Sequence, residues 1–410
     1  MNRIFFGIVA ASFAFAILNG TPAEVGAAAL DSAKGSVELA IGLVGYIALF
    51  LGLVKVVEEA GGLNFLARLI QPLLVRLFPA VPPDHPAMGA MVMNMAANAL
   101  GLGNAATPFG LKAMTELNKL NKEEGTATNA MVLFLAINTS ALALLPTGMI
   151  GLRAQYESVD PAVIFPTTLV ATACSTVVGI AAATFLSTLP PFRASEAQRE
   201  ADQAIRDQAI ATQWRDLLPF VCFLAAMVGL VVTVYQLGEA ASAWIMPSLI
   251  FGMLLIGMLR GVKVYEVFVE GAKEGFNLAI TIIPYLVAIL SAVGMFRASG
   301  GLGLVTRTIG AYTAPLGLPA EVLPLAMLRP LSGSGAFGIT ADLLQTHGPD
   351  SLIGQLASTM NGSTETTFYV LAVYFGSIGV HRVRHAVWAG LAADIAGVIA
   401  SVMAVQLLLG

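Results

Sequence analysis

Long apolar runs constrain this chain more than any other feature. A spanning helix takes about 20 mostly apolar residues. Nine such stretches are read at Ile4–Leu18, Gly35–Val57, Thr126–Ile150, Pro161–Leu189, Leu217–Leu237, Ala243–Leu259, Asn277–Phe296, Ser358–Val380 and Ala386–Leu409. Lipid cannot satisfy backbone N–H and C=O groups, so runs of this length must be helical. The expected fold class is therefore an all-α polytopic membrane protein. Composition excludes a soluble domain: only 11% of the residues are charged, against roughly 25% in soluble proteins. The first run, with Arg3 before it and small residues after, has the alternative of a cleaved signal peptide. The lack of a small-x-small site after Leu18 favours a retained anchor.

Two further apolar stretches, Met88–Leu117 and Leu318–Leu356, are broken near their middles by Gly101-Leu102-Gly103-Asn104 and Ser332-Gly333-Ser334-Gly335. Each half is too short to cross, so both are read as re-entrant helical hairpins. A broken backbone at membrane depth is tolerated only where it is buried in protein or lines a wet cavity.

Lys and Arg accumulate on the cytoplasmic side of membrane proteins. With the N-terminus inside, nine crossings and both hairpins returning to their own side, sixteen of the 21 Lys and Arg fall inside. Four fall outside (Lys34, Arg153, Arg297 and Arg307), and Arg329 stays within the second hairpin. This predicts a bacterial inner-membrane protein with a cytoplasmic N-terminus and an outside C-terminus. The one plainly soluble segment, Arg193–Asp216, reads as a cytoplasmic helix or linker. It divides the chain into 1–190, a linker 191–216, and 217–410.

The halves are related. Sliding the chain by 239 positions places Ala33-Lys34 on Ala272-Lys273, Tyr46 on Tyr285, Gly61-Gly62-Leu63 on Gly300-Gly301-Leu302, and Arg68 on Arg307. Chance likeness between apolar helices explains Leu on Leu, but not these residues in one register. Five crossings separate Lys34 from Lys273, so the repeats are expected to be inverted. That plan places a transporter's site near the midplane, where broken helices meet.

Candidate solute-binding residues follow from the breaks: Asn98, Asn104 and Thr107 at the first tip, Ser332 and Ser334 at the second, and Asn138, Thr139, Ser140, Asn361, Ser363 and Thr364 on the next spans. Amides and hydroxyls both donate and accept, which suits a small polar solute; the bland alternative is interhelical glue. Arg329 and Glu365 are intramembrane charges and functional candidates by default. Arg329 is read as a seat for an anionic group of the solute, and Glu365 as the carrier of Na⁺ or proton coupling. Their alternative is a structural pair. Asp342 is placed near the outer mouth, and His381 and His385 at the inner surface. Cys174 and Cys222 read as small core residues. No P-loop, metal set or base–nucleophile pair is visible, so no cofactor and no catalysis are expected. Without a basic run, no nucleic-acid partner is expected either.

Several long motifs carry a family resemblance. Ala28–Lys34, Pro82–Met88 (PPDHPAM), Met93–Gly110 (MNMAANALGLGNAATPFG) and Ile137–Ser140 resemble the spore maturation protein A family. Arg329–Gly338 (RPLSGSGAFG), Ser358–Tyr369 (STMNGSTETTFY) and Tyr374–Val380 (YFGSIGV) resemble spore maturation protein B. The chain thus looks like a fusion of the two, in the nucleoside-recognition or gate-domain group, which is similar in organisation to concentrative nucleoside transporters. The resemblance implies an elevator-type transport domain with two hairpins and two unwound helices, and a homo-oligomer formed through a scaffold domain. Substrate stays open, and so do two other classes: a non-transporting membrane scaffold or morphogenesis protein, and, more distantly, an intramembrane hydrolase.

Overall fold

A computed structural model describes residues 2–101, 103–140, 144–208, 214–237, 244–313 and 317–409, apart from the side chains of 2–4, 103–105, 208, 214, 234, 235, 237, 305, 306 and 309–312. The first half comprises α1 (Asn2–Asn19), α2 (Pro22–Glu59), α3 (Gly62–Leu77), α4 (Pro86–Ala99), α5 (Gly103–Lys119), α6 (Asn129–Thr139), α7 (Thr147–Gln155) and α8 (Ile164–Thr188). A polar helix α9 (Glu196–Gln208) follows, then α10 (Leu218–Leu237) and α11 (Ile245–Leu259). The second half comprises α12 (Val264–Ala298), α13 (Gly301–Thr313), α14 (Leu323–Leu328), α15 (Gly333–His347), α16 (Leu352–Ser363), α17 (Thr367–Ser377) and α18 (Ala386–Leu408). Among the described residues the only extended pairing is an isolated bridge between Thr126 and Arg382.

Five helical segments are long and apolar enough to cross a membrane: Pro22–Glu59, Ile164–Thr188, Arg215–Thr233, Val264–Ala298 and Ala386–Leu408. This is a multi-pass membrane protein. Two of the nine expected spans are not continuous helices. Thr126–Ile150 holds α6 and α7, with the described residues 140 and 144–146 between them non-helical, and Ser358–Val380 is the end of α16, a three-residue extended stretch and α17. Apolar count alone could not show this, because Asn, Ser and Thr within the runs bond locally and release the helix ladder.

Both expected breaks separate pairs of helices, with boundaries shifted from the expected ones. In the first, α4 ends at a turn with Gly101 left-handed at φ 78°. In the second, the break falls at 329–332, and Gly333 and Gly335 lie inside α15 rather than in the gap. Ser332 caps that helix, accepting from the Gly335 amide at 3.0 Å. Leu352–Leu356 belongs to the next helix, whose cap Ser351 accepts from the Gly354 amide at 3.0 Å.

Two glycines that fall in the matched register share a backbone conformation. Gly61 and Gly300, 239 positions apart, both adopt left-handed φ, 85° and 80°, each between a long helix and a shorter one. A Cβ there would be strained. The long helices α2 and α12 pack antiparallel: Ser36 lies against Leu286, Ala48 against Gly275, and Gly52 against Phe268. Gly275 is required by the approach, since a Cβ there would stand 2.7 Å from the Ala48 Cα. The pair α8 and α18 is also antiparallel, with Ser175 donating to the Ala393 carbonyl at 2.8 Å and Gly397 against Thr364 and Ser175.

Two apolar cores flank the broken helices. One gathers Phe78, Met88, Met131, Phe134 and Phe375; the other gathers Leu43, Leu286, Leu325, Leu344 and Leu356. The cysteines are not core residues as expected: Cys174 and Cys222 are free and exposed on helix faces outside the packed interior. Facing the bilayer is as apolar a fate as facing the core, so sequence alone could not separate the two. The polar segment is anchored rather than loose. The Gln198 Oε1 accepts from the Lys122 amide at 2.8 Å, and the Gln198 amide donates to Asp202 at 2.8 Å.

Candidate functional site

Four interruptions of the helical backbone come together. Past the end of α6, Leu144 donates its amide to the Ala99 carbonyl at the first hairpin tip, 3.0 Å away. Past the end of α16, Phe368 donates to the Pro330 carbonyl in the second hairpin break, also at 3.0 Å. The two halves are joined directly, because the Glu365 amide donates to the Thr139 carbonyl at 2.8 Å. Carbonyls at a helix end have no intrahelical partner, and here the second half supplies the donor for Thr139 of the first.

An amide and hydroxyl chain runs along the first half of the site. Buried Asn138 accepts through Oδ1 from Asn98 Nδ2 at 3.0 Å and from the Tyr374 hydroxyl at 3.3 Å, while its Nδ2 donates to the Phe134 carbonyl at 2.9 Å. Asn94 extends the chain, donating to Tyr374 at 3.2 Å and to the Ala106 carbonyl at 2.8 Å. Tyr374 stacks on Phe134 with ring centroids 5.9 Å apart and occupies the space beside Gly110, where a side chain would collide with it.

The other expected residues are distributed around this centre. Thr139 and Ser140 bond back to the Ala136 and Ile137 carbonyls, and Ser140 also meets Thr176 at 2.8 Å. Asn361 donates to Thr340 Oγ1 at 2.7 Å, and Ser363 meets Ser401 at 3.3 Å. Thr107 and Ser334 are partly buried, in α5 and in the first turn of α15. The Asn104 side chain lies outside the described residues.

The charged pair takes a particular form. Arg329 is buried; its guanidinium donates to the Thr364 carbonyl and, at 3.5 Å, to Thr366 Oγ1, with Glu365 at 3.9 Å. Glu365 is 55% exposed, so Arg329 chiefly holds the extended stretch 364–366 in shape. Thr367, at the start of α17, donates to Asp394 on α18 at 2.6 Å. Asp394, Asn94 and Tyr374 were not singled out by sequence. A lone Asp inside the last span was the signal for the first, and nothing in the spacing marked the other two.

Two clasps fix the ends of the broken helices, each crossing between the halves. Arg153, with no exposed surface, donates to the Pro349 carbonyl at 2.5 Å and to Asp350 at 2.8 Å; Asp350 also accepts from Ser158 and the Val159 amide. In return, Arg384 donates to the Ala127 and Phe192 carbonyls, and the His381 and Arg382 amides donate to the Gly125 carbonyl. His385 is fully buried beside Phe192. Burial, with Arg384 alongside, pushes its imidazole down to about 4. Asp342 pairs with Arg297 in a cavity of about 410 Å³ between α2, α12 and α15, also lined by Asp31, Ser36 and Tyr156. Among the described residues no group of three or more His, Cys, Asp or Glu is arranged to hold a metal.

Known proteins resemble this chain over these elements. The sequence profile of the Gate family, described as nucleoside recognition, matches residues 40–156 and 279–380, which contain both hairpins and both broken helices. Spore maturation protein B of Bacillus subtilis (strain 168) is 51% identical over 164 residues, which is 40% of this chain and 92% of the relative. Spore maturation protein A of the same organism is 41% identical over 175 residues, which is 43% of this chain and 89% of the relative.

Proposed function

This chain belongs to the Gate family, with relatedness to spore maturation proteins A and B in a single polypeptide, and from that premise we propose that it is a secondary transporter of a small polar solute. The observation that carries this reading is the hydrogen bond from Glu365 to Thr139, which brings both unwound segments and both hairpin breaks to one place. Irregular backbone of this kind at membrane depth is costly unless it serves a wet or liganded site.

The proposal extends to mechanism. The antiparallel pairing of α2 with α12 and of α8 with α18 supports an inverted repeat, and inverted repeats suit alternating access by movement of one part against another. We assign the solute to the groups around Asn98, Asn138 and Asn361, with Arg329 and Glu365 at one end. Neutral amides and hydroxyls with one Arg–Glu pair suit a nucleoside-like or other small polar metabolite better than an apolar one. The inner membrane, a cytoplasmic N-terminus and a homo-oligomer belong to the same proposal.

A second reading is favoured by a specific observation. Asn98 with Asn138, Asn361 with Thr340 and Ser363 with Ser401 bond to one another, as a membrane scaffold that moves nothing would require. The spore maturation names of the relatives fit that reading too. One experiment separates the two: a thermal-shift screen of the purified protein against nucleosides, nucleobases, amino acids, dicarboxylates and short peptides, with uptake into proteoliposomes for each hit. Native-state binding raises apparent stability by about 2.7 kcal/mol at a hundredfold excess over Kd. Stabilisation by one chemical class, accompanied by uptake, supports transport. Stabilisation without uptake, or none across the panel, favours the scaffold.

A further inference from the structure

Asp394 sits in the middle of α18, only 5% exposed. One carboxylate oxygen, Oδ2, accepts from Thr367 Oγ1 at 2.6 Å. The other, Oδ1, is buried and has no partner among the described residues. Gly390 and Gly397, one turn to either side, let α18 close on the break: a Cβ at Gly390 would collide with the Thr367 methyl, and one at Gly397 with the Thr364 methyl. The carboxylate therefore faces the extended stretch between α16 and α17, with the Thr367 hydroxyl in contact and Ser401, bonded to Ser363, two turns further along α18.

No described cation stands within ion-pair distance of it. The elements packed around it carry almost no charge: α6, α8 and α16 contain no Asp, Glu, Lys, Arg or His, and α17 offers only Tyr369 and Tyr374. The ionisable groups left are Arg329 and Glu365, and Arg329 is engaged by the Thr364 carbonyl, Thr366 and Glu365. A lone buried carboxylate is expensive unless something compensates it. Discontinuous membrane helices hold Na⁺ or protons through such oxygen groups.

We propose that Asp394 is the seat of a monovalent cation, a sodium ion or a proton, held against the break between α16 and α17. With the cation in place, the carboxylate is satisfied and Arg329 stays on Thr364 and Glu365. With the cation gone, Arg329 is the one described cation beside the break that could compensate the bare carboxylate, and reaching it would mean leaving Glu365. Occupancy of Asp394 is thereby communicated to the candidate solute site, and Asp394, rather than the half-exposed Glu365, becomes the coupling group. Its coupling role rests on the transport reading; the cation site itself does not.

The test needs no solute, so its failure is distinct from a failure of transport. Purified full-length protein is melted across a Na⁺ series at constant ionic strength with choline as replacement. Infrared difference spectra then follow the C=O stretch of protonated carboxyls across pH. A Na⁺-dependent rise in Tm that persists in Glu365→Gln and vanishes in Asp394→Asn identifies a sodium site. A protonated-carboxyl band present in wild type and Glu365→Gln but missing in Asp394→Asn, with Na⁺ inert, identifies a proton site. If Asp394→Asn does not fold, Thr367→Val decides: it should move the Na⁺ midpoint by about tenfold, or shift the carboxyl band as the hydroxyl contact is lost. A wild-type protein indifferent to Na⁺, with no carboxyl band sensitive to Asp394→Asn or Thr367→Val, overturns the proposal.

Discussion

The amide of Glu365 donates to the carbonyl of Thr139 at 2.8 Å, so the two unwound segments complete each other's hydrogen bonding. The bond is made by backbone, and the Glu365 side chain points away, 55% exposed and only loosely paired with Arg329 at 3.9 Å. Glu365→Pro removes the donor and strands a buried acceptor, and should lower stability by about 1–3 kcal/mol. Glu365→Gln keeps the amide and should stay within about 0.5 kcal/mol of wild type. Melting of both variants in the same detergent measures the difference; equal stabilities would mean that this bond does not hold the site together.

Asn138→Ala and Asn361→Ala test the solute site. Each removes a buried amide bonded on several sides or to Thr340, and each should weaken solute binding about tenfold or more while the protein still folds. Isothermal titration with the solute found by screening supplies the measurement. Wild-type affinity and uptake in both variants would remove these residues from the site.

Arg153 should matter far more than Arg382. Arg153 is fully buried and forks onto Pro349 and Asp350, whereas the pair of Arg382 with Glu123 is exposed at 3.4 Å. Arg153→Ala is expected to cost about 3 kcal/mol, and Arg153→Lys to rescue little, because a point charge cannot reproduce the fork. Arg382→Ala should cost less than about 1 kcal/mol. Chemical or thermal denaturation ranks the three.

His385 gives the protein an acid limit. In the unfolded chain its imidazole takes up a proton near 6.5, but in the folded protein only near about 4. The unfolded state binds the extra proton between those values, so stability is complete above about 6.5 and is lost as pH falls towards about 4. His385→Phe, placed beside Phe192, should flatten that part of the Tm–pH profile. An unchanged acid slope would assign it to other groups.

Gly275 should tolerate no larger residue. A side chain there meets the backbone of Ala48 rather than a flexible tip, so Gly275→Val is expected to cost about 1–3 kcal/mol through overpacking. Gly252, with open space around its Cβ position, should accept Ala with little change. Paired melts test this contrast.

Sequence legibility followed the range of the physics. Five of the nine expected spans, the backbone breaks near Gly101 and Ser332, and the matching Gly61 and Gly300 were readable because apolar length and Gly are local signals. The breaks after Ser140 and Ser363 were partly readable: their Asn and Ser stood out, but apolar length argued for continuous helices. What depends on distant partners was not readable. Tyr374 meets Asn94 from 280 positions away and Arg153 finds Asp350 from 197, and no spacing rule reaches that far. Asp394 was not readable as a candidate from its place in the last span alone. Glu365 stands in a conspicuous polar run, whereas Asp394 looks incidental until its neighbours prove to carry no charge.

The clasps have a consequence for assembly. Arg153 of the first half closes a turn of the second, and Arg384 of the second closes a turn of the first, so neither half finishes its own ends. Divided into separate polypeptides, these contacts would have to form between two chains, at the concentrations both reach. A tether through α9 replaces that encounter with an intramolecular one at high effective concentration. It fixes the stoichiometry in the gene and leaves neither half in the bilayer without the partner that closes its turns.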